Sequence, residues 1–138
     1  MANIDNGLLA GAQKGSLFID TSTIDPSVTR DLANKVASHH SNLVDAPVSG
    51  GVLGAEKATL TFMVGGEEGH FEKARELLQH MGKNIVHCGG VGNGQVVKVC
   101  NNLVLGITMI GNQLIVNFFF CFVGHFLFFG FLDVVVVG

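Results

Sequence analysis

The chain has 138 residues, enough for one domain with a buried core. A formal net charge of -3 excludes the basic face of a nucleic-acid-binding protein, so no nucleic-acid partner is expected. Three cysteines without a Cys-x-x-Cys pair and six scattered histidines offer neither a disulfide framework nor a metal site, and a reducing compartment fits best.

In chain order, Met1-Ala-Asn-Ile-Asp5 has neither the basic start nor the apolar core of a targeting segment. Residues 1–15 read as the tail of a helix. Ser16–Asp20 is a short apolar run and predicts a buried strand. Asp25-Pro26 starts a helix, with Asp as N-cap and Pro at the first helical position, and Val28, Leu32 and Val36 give it an apolar stripe. Asn42–Ala46 predicts a second strand ending at Pro47, and Thr59–Val64 a third after a Ser-Gly-Gly turn. Phe71–Met81 is amphipathic, with Glu67, Glu68 and Glu72 at or before its start and Gly82 placed as its C-cap. Asn84–Cys88 predicts a fourth strand. A glycine loop, Gly89–Gly94, then leads into a long helical pattern from Gln95. Strands alternating with helices predict an α/β fold with a largely parallel sheet.

Composition changes after Ile110. Charged residues make up 14% of the chain against roughly 25% in ordinary domains, and from Leu103 to Gly138 the only formally charged residue is Asp133. Eight of the eleven phenylalanines fall between Phe118 and Phe131. Leu114–Leu132 is close to the ~20 apolar residues of a spanning helix. Asn117 and His125 interrupt it, however, and no basic cluster or Trp/Tyr belt flanks it, so a membrane partner is not the expected reading.

The glycine loop invites a dinucleotide fingerprint, but Gln95 stands where the last glycine belongs. No acid follows between Glu76 and Asp133 to hold a ribose. The Gly-Lys-Ser/Thr ending of a phosphate loop is also absent. The glycines then form a connector into a helix that carries Lys98 on its opening turn, with Asn102 four residues on along one face. A lysine there opposes the helix dipole among apolar neighbours, which disfavours its charged form and suits proton transfer. An ordinary snorkelling surface lysine remains open on spacing alone.

Three segments, Asp45-Ala-Pro-Val-Ser-Gly-Gly51, Leu60-Thr-Phe-Met-Val-Gly-Gly66 and Gly92-Asn-Gly-Gln-Val-Val-Lys-Val-Cys-Asn-Asn102, resemble the β-hydroxyacid dehydrogenases. Within that family they resemble the 3-hydroxyisobutyrate branch more than the tartronate semialdehyde (glyoxylate-type) reductases, the alternative. The resemblance covers roughly Gly7 to Gly111. It implies the second half of a Rossmann-like doubly wound domain (residues 1–94), the start of a long interdomain helix (95–111) and an aberrant Phe-rich tail (112–138).

The resemblance also implies a chemistry. Lys98 matches the catalytic lysine; Ser49, Gly50, Gly51 and Asn102 match substrate-binding positions; Thr23 matches a residue near the cofactor. The cofactor implied is NAD, with NADP open, the substrate a small 3-hydroxy acid, the assembly a homo-oligomer and the location the mitochondrial matrix. The chain reads as a piece of a longer enzyme, so the 138 residues alone are expected to show no turnover. A non-catalytic membrane-associated or interaction fragment is the competing class.

Overall fold

The computed structural model describes residues 7–132, with side chains as far as Cys121. The chain divides after Cys100 into two compact units.

In the first unit, residues Leu8–Gly11 form a single 3-10 turn rather than the end of a longer helix, and the earlier residues of that expectation lie outside the described ones. Strand β1 (Leu17–Asp20) pairs in parallel with β2 (Asn42–Asp45). A short β3 (Val48–Ser49) runs antiparallel to β4 (Leu60–Val64), and β4 pairs in parallel with β5 (Gly82–His87). One bridge, Asp45 to Gly65, joins the two sets. Parallel pairing therefore dominates, as expected. The antiparallel course of β4 is a departure: β3 continues β2 past Pro47, whose carbonyl accepts from the Met63 amide at 3.0 Å, and β4 runs back alongside.

Alternation along the strands distributes the core over both faces. Leu43 and Phe18 point to one side, where helix α1 (Pro26–Ser38) packs through Val36, Leu32 and Ala33. Val44, Phe62 and Val64 point to the other, where α3 (Glu68–Leu78) packs through Phe71, Ala74 and Leu78. Helices on both faces of a largely parallel sheet make this the doubly wound arrangement. The α1 stripe is only partly covered. Val36 is buried, but Val28 is 52% exposed and borders an open cavity of about 840 Å³ beside β1, with Phe18, Leu32 and Val36.

Three local expectations need correction. The Ser-Gly-Gly turn continues directly into a short helix, α2 (Gly51–Glu56), which has no long apolar repeat to announce it. Helix α3 lies three residues earlier than its apolar pattern suggests, because Glu67 and Glu68 open it. Gly82 is therefore no C-cap: it is the first residue of β5, where a β-carbon would lie 2.6 Å from the Leu60 carbonyl. Helix α4 (Asn93–Leu132) is continuous through Gly111, where composition changes, and its Asn93–Cys121 stretch is long and apolar enough to cross a membrane.

Asp45 ties the strands to the start of α4. It is completely buried on β2, and its carboxylate accepts from the amides of Gly92 (2.6 Å) and Gln95 (3.0 Å). Burial pushes this carboxyl above its ordinary value, against the pull of those two amides. Gly65 and Gly94 press on it closely: a β-carbon would stand 2.5 Å from Oδ1 at the first position and 2.7 Å from Oδ2 at the second.

Two predictions follow from these caps. Asp45→Asn offers one acceptor to two amides and turns an NH2 toward the other. It should lower unfolding free energy in urea by about 1–3 kcal/mol at neutral pH; an unchanged midpoint would count against the clamp. Asp25 caps α1 by accepting from the Ser27 amide at 2.7 Å, and the Ser27 hydroxyl and amide hold its carboxyl below 3.8. A lowered carboxyl stabilises above its unfolded value and loses that contribution as pH falls through the folded one. The gap in urea midpoint between wild type and Asp25→Ala should therefore close as pH drops below 3.8.

Candidate functional site

β1 and β2 form one parallel pair and β4 and β5 another, running the opposite way, and the segments leaving these four strands carry the candidate residues. Beyond β1 comes the loop Thr21–Ile24; beyond β2, the short β3 with Ser49; beyond β4, Gly65 and Gly66; beyond β5, the glycine connector into α4. The antiparallel bridge between Asp45 and Gly65 brings the ends of β2 and β4 side by side, so these segments lie close together.

Lys98 and Ser49, 49 residues apart, meet where β3 ends. The Lys98 Nζ donates to the Ser49 Oγ at 2.7 Å, and both side chains are half-buried. Because α4 begins at Asn93, two residues before the sequence pattern suggested, Lys98 lies in its second turn rather than its opening turn. Gly50 and Gly51 follow Ser49 with φ of 137° and 60°, in the left-handed region that glycine alone enters freely. Both are exposed, so their backbone amides border the space next to the lysine and serine.

Thr23 is exposed on the loop after β1, yet its backbone is fixed on both sides by one side chain. Gln95 Nε2 donates to the Ser22 carbonyl at 2.8 Å, and Gln95 Oε1 accepts from the Ile24 amide at 3.2 Å. Ser22 adds a turn of its own, its amide donating to Asp20 Oδ1 at 3.0 Å. Asn102 lies exposed on α4 within the second unit.

Two residues of the site escaped the sequence reading. Asp45 was visible only as the first letter of a motif, and Gln95 only as the residue that broke a fingerprint. A buried carboxylate aimed at a helix start has no periodic signature. The one clue was chemical: an acid and an amide at the edges of two glycine-rich segments. The clamp also disposes of the fingerprint itself, since the amides of Gly92 and Gln95 that could cradle a phosphate already donate to Asp45.

The cavity of about 840 Å³ beside β1 touches the Thr21–Ile24 loop through Thr21, Ser22 and Ile24 but includes neither Lys98 nor Ser49. It is an open, mainly apolar groove along β1. The meeting of Lys98 and Ser49 is the better site, because there a cation donates directly to a hydroxyl beside the exposed glycines Gly50 and Gly51.

Comparison with known proteins agrees in both sequence and fold. The family described as NAD binding domain of 6-phosphogluconate dehydrogenase matches residues 1–90. The Dictyostelium discoideum protein named "Probable 3-hydroxyisobutyrate dehydrogenase, mitochondrial" is 58% identical over 106 residues, which cover 77% of this chain and 33% of that protein. The solved Mycobacterium tuberculosis 3-hydroxyisobutyrate dehydrogenase with L-serine is 50% identical at a TM-score of 0.73, covering 75% of this chain and 35% of that one. A structure of Psf3 with NADP+ and 2-OPP is 33% identical at the same TM-score of 0.73, over 78% of this chain and 38% of that one. The chain spans about a third of the length of these relatives. With its doubly wound sheet and its match over residues 1–90, the chain belongs to the family of the NAD binding domain of 6-phosphogluconate dehydrogenase.

Proposed function

We propose that this chain supplies the lysine-bearing segment of an NAD-dependent 3-hydroxyacid dehydrogenase, which oxidises 3-hydroxyisobutyrate to methylmalonate semialdehyde. The observation that carries the reading is the 2.7 Å hydrogen bond from Lys98 to Ser49 where β3 ends. It puts a proton-carrying amine against the turn suited to a carboxylate. The identity of 50–58% to proteins named for that substrate supports the choice of hydroxyacid. Relatives named mitochondrial support a mitochondrial location, with the matrix as the compartment proposed. A homo-oligomer is the assembly proposed.

In this reading the substrate carboxylate lies on the Ser49 hydroxyl and the exposed amides of Gly50 and Gly51. Positive-φ glycines let the main chain approach an anion without a β-carbon intervening. Lys98 Nζ exchanges the proton of the substrate hydroxyl as the carbonyl forms, a general acid–base role. NAD, when bound, would supply the hydride acceptor for the carbon that bears the hydroxyl. The described residues fit the nicotinamide end of that cofactor, through the exposed and rigidly held loop around Thr23. They do not fit its pyrophosphate, because the helix amides available for an anion are occupied by Asp45. Asn102 is proposed as a further substrate-holding residue, in keeping with the resemblance.

The reading is tested by setting residues 7–111 in place of the matching segment of the Mycobacterium tuberculosis relative and following NADH formation from 3-hydroxyisobutyrate. Lys98→Ala should lower kcat by about 10²–10⁴-fold with little change in KM. Ser49→Ala should act mainly on KM. A chimera that turns over equally well without the lysine amine would sink the proposed role.

A further inference from the structure

We infer that Gln95 is a positioning residue that fixes the loop carrying Thr23 in register with the helix carrying Lys98; this rests on the dehydrogenase reading above. The side chain is completely buried and uses both ends of its amide. Its oxygen accepts from Ile24 and its nitrogen donates to Ser22, so Thr23 is bracketed by two bonds to one group. The main-chain amide of Gln95 donates in turn to Asp45. A single residue thereby connects the loop after β1, the strand β2 and the first turn of α4.

The chemistry explains why glutamine stands here. Reading a peptide segment from both sides requires an acceptor and a donor on one planar group, which the carboxamide provides. Glutamate would keep the acceptor for Ile24 but face the Ser22 carbonyl with a second acceptor. Methionine would fill the volume and supply neither bond. Gln95 and Lys98 are three residues apart, on neighbouring positions of one helix face. A shift of the loop would therefore change the spacing between the Thr23 region and the Lys98 amine directly. The loop surface itself is exposed, so water could satisfy its amides without Gln95. What the buried side chain adds is a fixed position, and positioning is worth most where two reacting partners are held by different segments.

The test uses the full 138-residue chain, labelled for NMR, as wild type, Gln95→Met and Gln95→Glu. Amide exchange is read at Ile24 and at β4, and NADH is titrated while the Thr23 amide is followed. In Gln95→Met, Ile24 should exchange roughly three- to tenfold faster with β4 unchanged. The NADH-induced shift at Thr23 should fall at least about threefold at equal NADH. Gln95→Glu should restore Ile24 protection. Equal acceleration of β4 would show that Gln95 merely supports the fold, and an undiminished Thr23 response in Gln95→Met would show that it does not position the loop; either overturns the inference. A wild-type chain whose Thr23 ignores NADH would instead overturn the cofactor reading, and the positioning role with it.

Discussion

The carboxylate of Asp45 meets the amides of Gly92 and Gln95 inside the protein, and the rest of the site is arranged around that meeting. Taking a carboxyl out of water is costly, and its raised proton affinity reflects that cost. The compensation is local. A helix start leaves amides without intrahelical partners and presents partial positive charge, and Asp45 answers both. Among the described residues no buried side-chain nitrogen or oxygen lacks a hydrogen bond. A polar cluster this deep is therefore compatible with a packed sheet.

Because the clamp begins on β2 and ends on α4, it converts strand order into site geometry. The strand fixes where the helix starts; the helix start fixes which residue faces the end of β3. Lys98 reaches Ser49 across 49 residues of sequence with no loop between the helix and its anchor left to wander. The proposed proton transfer depends on that placement, since an amine free to sample several positions would spend little time near a substrate hydroxyl. Gln95 extends the same logic to the neighbouring loop, so that three segments leaving three strands share one reference point.

Much of this fold was legible in the sequence, for reasons that differ by element. Asp25-Pro26 announced α1 because capping chemistry is local and involves only adjacent residues. The strands β1, β2, β4 and β5 were visible as short apolar runs. What escaped were features decided at a distance. β3 is extended only because β4 lies beside it, and α2 only because the glycines turn the chain sharply. Gly82 looked like a helix terminator, yet a carbonyl and a ring from β4 leave no room for a side chain there. Of the candidate residues, Lys98, Ser49, Gly50 and Gly51 could be nominated from motif spacing. Asp45 and Gln95 could not, since a buried polar group shows its purpose only once its partners are known.

Gly65 has a φ that does not require glycine, and the three nearest atoms a β-carbon would meet there belong to one side chain: Oδ1, Oδ2 and Cγ of Asp45. Its identity is thus set by another residue rather than by its own backbone. Positions 45 and 65 form an epistatic pair, in which alanine at 65 is barred while aspartate occupies 45 and is relieved of its three nearest clashes once that side chain is shortened. Gly94 differs, because the Met63 carbonyl would still obstruct a side chain there. Of the two glycines against the carboxylate, only Gly65 is free to drift in a lineage that has given up the acid.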